Sequence, residues 1–482
     1  MTSKLNHYLI ISLTLLLYVG TRLFQLDALP LFLDESIIVE WAIQVREGSP
    51  IGFGYHGKYL LPWVYSLLFT ETGAYWSVRV VTLLFLMIGA SAIIRLGKNM
   101  HTWTVGIITV IVITFIPMLF FHDRLALTDT ILHAMLSLHV LTIFYALDRK
   151  TPNLRLTLLI SATFIIALLS KSTAVVLIPL PLIAVIFLAH KWQWRSRILH
   201  TIVIYGAIGL AWLPLHVLLA WRGMNYFGLA GQFSSEINND SLLDKLIANS
   251  QVILEGFISY FTWFGLLAIL IASLILLYKK PRHGFVLLAG IGGFVFALIL
   301  AAVPSGIANR YWIGIVPLAL LVLVYGFSLL PYRQFSLGAI VIYSLVLGIP
   351  FQWQAYTAPS DLDLPRSDRL HYIESDASGT RLPEIASYID AQDNLAIIAI
   401  PQCFTVQLYT ASTIDCFNVV QDNGRLQRLQ THLNELTTPY LLLLEIPGYI
   451  NKDDILGDSA SLVAEFERPN SLITLELYLI DP

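Results

Sequence analysis

Eleven stretches almost free of charge dominate the chain, near 8–26, 76–95, 103–121, 126–147, 156–170, 173–189, 199–220, 252–277, 284–303, 311–330 and 335–351. A helix needs about 20 consecutive apolar residues to cross a bilayer, and a chain with this many such runs has no soluble fold in which to bury them. Hydrophobic residues make up 56% of the 482 positions and charged ones 13%, where an ordinary soluble protein carries about 25% charged. The pattern predicts a polytopic α-helical membrane protein with about 11 transmembrane helices. The two shortest stretches, 156–170 and 173–189, read as tilted spans or as a re-entrant pair. The first is followed by charged and aromatic residues instead of a small-residue cleavage site, so it reads as a retained anchor.

The charges that remain are unevenly placed. Residues 1–351 hold 22 Lys/Arg and 13 Asp/Glu, whereas residues 352–482 hold 7 and 19. This divides the chain into a transmembrane domain, 1–351, and a soluble acidic domain, 352–482. The balance excludes a nucleic-acid binder, which needs a basic footprint, and two cysteines do not make a disulfide scaffold. If the N-terminus is cytoplasmic, the segments on that side carry 13 basic residues against one acid, Asp148. The positive-inside rule then holds at every cytoplasmic loop, and the reverse topology violates it throughout. An odd number of spans places the tail outside, with the segments 27–75, 222–251 and 304–310. The expected location is the cell membrane, with an extracytoplasmic C-terminal domain.

Unusual residues collect on that outer side. Segment 27–75 is long, and connections beyond about 12–15 residues are usually functional or disordered. Its aromatic content, including Trp41, Tyr55, Tyr59, Trp63 and Tyr65, argues against disorder. The runs 36–45 and 59–69 read as helices with one wet face, lying along the membrane surface. Leu33-Asp34-Glu35-Ser36 heads the first of them. Two adjacent carboxylates there read as an N-terminal cap favoured by the helix dipole, or as a general base with a neighbour that orients it or binds the acceptor. Elsewhere, His122-Asp123-Arg124 closes the third stretch, Asp129 opens the fourth, Lys171 interrupts Leu168-Leu169-Ser170-Lys171-Ser172, and Arg310-Tyr311 stands just above the tenth. A lone basic residue at such a level reads first as a snorkelling side chain. As a set, Arg124, Lys171 and Arg310 recur at the outer level of Asp34 and Glu35. Charge at membrane depth commonly marks a substrate path, and this set suits a lipid phosphate.

With these residues in place, the chain resembles the GT-C glycosyltransferases, in the branch of protein O-mannosyltransferases and lipid A aminoarabinose transferases. The matching stretches are Leu33-Asp34-Glu35, Tyr55-His56 ahead of Leu61-Pro62-Trp63, Ser77-Val78-Arg79, Arg124-Leu125-Ala126-Leu127-Thr128-Asp129, Leu169-Ser170-Lys171, and Arg310-Tyr311-Trp312 with Pro317. Two stretches depart from the family pattern. The first loop reads His56-Gly57-Lys58-Tyr59 where the family often has His-Pro-Pro-Leu, and Lys171-Ser172 replaces a common Lys-Gly. The resemblance implies transfer of a sugar from a polyprenyl-phosphate donor to an acceptor hydroxyl on a protein, lipid or glycan, outside the membrane and with inversion. It implies Asp34 as general base, Glu35 on acceptor or sugar hydroxyls, and Lys171, Arg310 and Arg124 on the donor phosphate. His56, Lys58, Asp129 and Tyr311 fall at the acceptor or donor site. No cofactor and no essential metal are expected, since there is no His/Cys cluster with zinc spacing. The competing class is a secondary transporter or lipid flippase; against it, the chain lacks an internal repeat of span pattern and its ionisable residues gather away from the midplane.

In the tail, helix-like runs at 383–391, 402–409 and 425–436 alternate with strand-like runs at 395–400, 414–419, 440–446, 462–466 and 472–480. This predicts a small α/β domain with no Gly-rich phosphate loop or nucleophile elbow. It reads as a cap or acceptor-docking surface, or as purely structural. Cys403 and Cys416 both lie in it, and an oxidising exterior permits a bridge that their spacing alone does not decide.

Overall fold

The computed structural model describes residues 2–51, 57–68, 74–222, 242–300, 308–375, 377–392, 396–400, 403–416, 439–445, 460–469 and 474–481, with Thr431 and Glu435. Two compact units divide the chain. The first comprises Met1–Leu26, Ala42–Leu68 and Arg79–Tyr356, and the second Asp27–Trp41, Phe69–Val78 and Thr357–Pro482. Two pieces of the long first loop therefore belong to the same unit as the tail.

In chain order the helices up to residue 357 are α1 (Thr2–Leu23), α2 (Leu33–Arg46), α3 (Leu60–Leu68), α4 (Ala74–Met100), α5 (Trp103–Phe115), α6 (Pro117–Asp123), α7 (Thr128–Leu147), α8 (Leu154–Ser170), α9 (Leu180–Phe187), α10 (Trp194–Trp221), α11 (Leu242–Lys279), α12 (Pro281–Leu300), α13 (Val316–Ser328) and α14 (Arg333–Thr357). Short 3₁₀ turns, Ser172–Leu177 and Asn309–Ile315, lead into α9 and α13. Each of the eleven apolar stretches is helical over most of its length. Among the described residues, seven helices are long and apolar enough to cross a membrane, or eight if the bent pair α5–α6 is one span; α8 and Ser172–Phe187 are shorter. The two external runs read as helices are α2 and α3.

The 103–121 stretch is not one straight helix but two segments at 74° to each other. Pro117 is the cause. It forces Ile116 to an extended conformation (φ −70°, ψ 122°) and has no N–H to give the Ile113 carbonyl. The guanidinium of Arg22, fully buried, fills that gap by donating to Ile113 O at 3.0 Å and Thr114 O at 2.8 Å. Its charge is met by Asp123 at the far end of α6, 3.2 Å away. The same carboxylate accepts from Tyr18 at 2.9 Å and from His133 Nε2 at 2.8 Å. Gln352 adds a second donor, at 2.8 Å, to Thr114 O. One buried polar cluster thus ties α1, α5, α6, α7 and α14 together around the break. Gly348 of α14 packs directly on the Phe115 carbonyl, and a Cβ there would collide with it.

In the second unit, α15 (Leu382–Asp390) and α16 (Cys403–Gln407) accompany five strands, β1 (Ala396–Ile400), β2 (Ile414–Cys416), β3 (Tyr440–Glu445), β4 (Ala460–Glu467) and β5 (Thr474–Ile480). The order is β2-β1-β3-β5-β4, parallel at β2-β1-β3 and antiparallel beyond. Leu382, Ile385 and Ile389 recur at helical spacing on α15. They pack with Leu441, Leu443, Leu475 and Leu477, the alternate positions of β3 and β5, to form the core. Cys403 is disulfide-bonded, and the chain's one other cysteine is Cys416. The run 425–436 lies outside the described residues apart from Thr431 and Glu435.

Candidate active site

Lys171 stands where α8 stops. Its backbone is extended (φ −162°, ψ 135°) and its N–H still donates to Ala167 O, so the chain turns off the helix axis into the 3₁₀ turn that follows. The side chain is buried, 4% exposed, and its ammonium is ion-paired to Asp129 Oδ1, itself 5% exposed. Asp129 lies in the first turn of α7, where the helix dipole favours a carboxylate. The Lys171 ammonium also lies 4.6 Å from the centre of the Tyr311 ring, and the Arg310 guanidinium lies 5.6 Å from that same ring. Arg310 and Tyr311 belong to the 3₁₀ turn ahead of α13. Four residues singled out on sequence grounds therefore form one cluster: Lys171 and Arg310 both approach the Tyr311 ring, and Asp129 pairs with Lys171. Cations at such distances gain from the ring's electron-rich face, the more so when shielded from water.

Arg124 has other partners. It caps α6, is fully buried and donates to the Gln25 carbonyl. Its guanidinium lies 5.3 Å from the Phe120 ring and 5.0 Å from the Tyr356 ring. Gln25 itself has φ +46°, an uncommon conformation for a residue other than glycine. Lys58 is half-buried and precedes Tyr59, whose N–H donates to Leu169 O at 2.8 Å. The stretch Lys58-Tyr59 is thereby bonded two residues from Lys171. Burial raises the Tyr59 hydroxyl above the usual tyrosine range, so it stays neutral. His56 lies outside the described residues.

Asp34 and Glu35 belong to the second unit and open α2. Glu35 reaches back to accept the Phe32 N–H at 3.0 Å, while the Glu35 N–H donates to Phe32 O at 2.8 Å. The carboxylate's bond is the back-reaching half of a capping box; Phe32 has no side-chain oxygen to supply the other half. The Glu35 residue is fully buried. Glu35 is the residue expected to bind acceptor or sugar hydroxyls; in the structure its carboxylate accepts from its own helix end in a buried site. Asp34 is half-buried. Among the described residues no group of three or more His, Cys, Asp or Glu side chains is arranged to hold a metal ion.

Sequence reasoning missed Arg22 and His133, which hold Asp123 beside Arg124. The signal was present in Pro117, since a proline within an apolar span frees a carbonyl and creates a need for a donor.

No protein-family model and no curated protein matches the sequence. Solved structures do match. ArnT from Cupriavidus metallidurans in the apo state aligns with a TM-score of 0.62 at 14% identity, over 99% of this chain and 98% of its own. The same protein bound to undecaprenyl phosphate gives 0.61 at 14% identity, over 98% and 97%. AglB, the oligosaccharyltransferase of Archaeoglobus fulgidus in complex with an inhibitory peptide and a dolichol-phosphate, gives 0.54 at 12% identity, over 91% of this chain and 69% of AglB. At these identities the likeness is one of fold, and this chain shares the fold of ArnT and AglB.

Proposed function

We propose that the chain is an integral-membrane glycosyltransferase that moves a sugar from a polyprenyl-phosphate carrier to an acceptor hydroxyl on the extracytoplasmic side. The observation that carries this reading is the grouping of Lys171, Arg310 and Asp129 around Tyr311 in a chain of GT-C fold, whose solved neighbours include ArnT bound to undecaprenyl phosphate and AglB with a dolichol-phosphate. A buried cation pair on an aromatic ring suits a phosphate that gains charge as it leaves. Lys171 and Arg310, with Arg124, hold that phosphate. Asp129 holds the Lys171 ammonium in place, and Lys58 lies on the donor side.

In the proposed step, the acceptor oxygen attacks the anomeric carbon from the face opposite the phosphate. The bond from that carbon to the phosphate oxygen breaks, the phosphate leaves with the electron pair, and the configuration inverts. Asp34 takes the acceptor's proton, and the basic groups stabilise the developing phosphate charge. Glu35 fixes the helix end that carries Asp34. The reading includes eleven crossings, a cytoplasmic N-terminus, a location in the cell membrane and transfer without an essential metal.

The test is transfer from a radiolabelled undecaprenyl-phosphate sugar in membranes without any imposed gradient. A general base contributes roughly 10²- to 10⁴-fold in rate, so Asp34→Asn should be expressed normally and lose transfer by about that factor. Wild-type turnover in Asp34→Asn overturns the base assignment. Unchanged donor KM and turnover in both Lys171→Ala and Arg310→Ala overturn the phosphate site. Loss of all activity in EDTA overturns metal-free transfer.

A further inference from the structure

The approach to Asp34 is held by residues from the far end of the chain. Leu31, Phe32 and Leu33 form the turn into α2, and Leu31 and Phe32 are buried. The Leu31 N–H donates to the Tyr409 hydroxyl at 2.9 Å. The Leu33 N–H donates to Ala377 O at 2.9 Å, and Leu31 O accepts the Gly379 N–H at 2.7 Å. Phe32 and Ser378 pair as an isolated antiparallel bridge. Just after Asp34, Ser36 Oγ meets Thr405 Oγ1 at 2.9 Å, both buried.

The residues that make these contacts are themselves fixed. Ser378 donates its hydroxyl to Tyr372 O at 2.8 Å and its carbonyl accepts from the buried Arg468 at 3.0 Å. The Phe32 ring packs at 4.9 Å from His371 and 4.7 Å from Tyr372. Gly379 comes so close to the Leu31 carbonyl that any Cβ would collide with it. Thr405 and Tyr409 follow Cys403, which the disulfide ties down, and Tyr409 packs 5.4 Å from the Tyr75 ring.

We infer that Gly379, Thr405 and Tyr409 are positioning residues for the Asp34 carboxylate, so that the C-terminal unit sets the geometry of the proposed base instead of serving only as a cover or a docking surface. The inference rests on the reading of Asp34 as the base. Its physical ground is that the half-buried Asp34 is gripped on both flanks, at residues 31–33 and at residue 36, by hydrogen bonds that local sequence does not supply. A base must be held near its productive position, and a displacement of about 1 Å can cost about 100-fold in rate.

The experiment uses the full-length protein in lipid nanodiscs. Tyr409→Phe, Thr405→Val and Gly379→Ala should each lower kcat at least about ten-fold, with donor KM for undecaprenyl-phosphate sugar unchanged. Thr405→Ser, which keeps the hydroxyl, should retain wild-type kcat. A spin label on Asp34→Cys reports position without any need for turnover, because Cys403 is disulfide-bonded and no free cysteine is found among the described residues. Its spectrum should be immobile in the otherwise native chain and mobile once Tyr409→Phe or Thr405→Val is added. If Asp34→Asn is inactive while Tyr409→Phe, Thr405→Val and Gly379→Ala keep wild-type kcat and an immobile label, positioning is overturned and the base assignment stands. Wild-type turnover in Asp34→Asn instead removes the base assignment and this inference with it.

Discussion

At Lys171 the buried ion pair complicates any simple deletion. Removing one partner of a buried pair leaves the other charge unmatched, which commonly costs about 3–5 kcal/mol. Lys171→Ala therefore exposes Asp129 to that penalty, and a loss of transfer in this variant mixes misfolding with a lost phosphate contact. The double variant Lys171→Ala/Asp129→Asn separates the two. We expect the single variant to melt well below the wild type and the double variant to recover most of that loss, while transfer stays abolished in both; recovery of transfer in the double variant would remove Lys171 from the donor site. A second residue-scale effect belongs to Asp390, at the end of α15. Thr410 donates its hydroxyl to this carboxylate, Ser412 donates its hydroxyl at 3.0 Å, and the amides of Ala411 and Ser412 approach at 3.5 and 3.4 Å. These donors hold the Asp390 carboxyl below the usual aspartate range. Because the folded value is depressed, the stabilisation is present above the unfolded value, about pH 4, and is lost as pH falls through the folded value. Asp390 is well exposed, so the effect is small. Melting curves of the wild type and Asp390→Asn should differ at neutral pH and converge in strong acid.

At the scale of elements, the break between α5 and α6 carries the clearest consequence. Arg22 serves four acceptors at once, two carbonyls freed near Pro117, the Asp123 carboxylate and the neighbouring Thr21 hydroxyl. A lysine has one nitrogen and cannot span that fork. Arg22→Lys and Arg22→Met should both lower the melting temperature and the yield of folded protein, with Arg22→Met the worse because it strands Asp123 in a buried site. Equal stability of Arg22→Met and the wild type would show the cluster to be incidental. This element also marks how far the sequence could be read. Apolar runs predicted every long helix, because burial in lipid leaves the backbone no other way to satisfy its hydrogen bonds. Short apolar runs predicted the strands β1, β3, β4 and β5, and alternate leucines of β3 and β5 face one core. Asp129, Lys171 and Arg310 were legible because charge is rare among such neighbours, and Tyr311 as the residue beside Arg310. The capping role of Glu35 was legible only as one of two readings, because a capping carboxylate and a catalytic one share the same position at a helix start. The grip of Tyr409 on Leu31, 378 positions apart, left no local trace, since one hydroxyl and one amide carry no periodicity.

For the whole molecule, the composition of the second unit constrains the path through the membrane. Asp27–Trp41 and Thr357–Pro482 lie in one compact unit, joined by bonds such as Leu33 to Ala377, and no bilayer can pass between them. The chain must then cross an even number of times between residues 79 and 356. Among the described residues the long helices α4, α7, α10, α11, α12, Asn309–Ser328 and α14, with α5–α6 taken as one span, are long and apolar enough for eight crossings. The short segments α8 and Ser172–Phe187 must therefore both cross or both fail to cross. Lys171 decides between these. It ends α8 and pairs with Asp129 at the start of α7, whereas α8 begins just after α7 has ended. At 1.5 Å per residue the 17 residues of α8 cover about 25 Å, close to the ~30 Å hydrocarbon core. That length suits the proposed topology, in which α8 returns to the level at which α7 began and the segment after it crosses back. The eleven crossings proposed above, counting α1, would put the loops around Asn153 and Gln193 on the cytoplasmic side, with Arg149, Lys150, Lys191 and Arg195 as the positive-inside rule asks. In right-side-out vesicles a membrane-impermeant maleimide should label Arg222→Cys and Asp361→Cys but neither Asn153→Cys nor Gln193→Cys until the vesicles are opened. Labelling of one of the latter two from outside, with the other protected, would break the paired crossing and move Lys171 and Asp129 away from the level at which an external lipid phosphate could meet them.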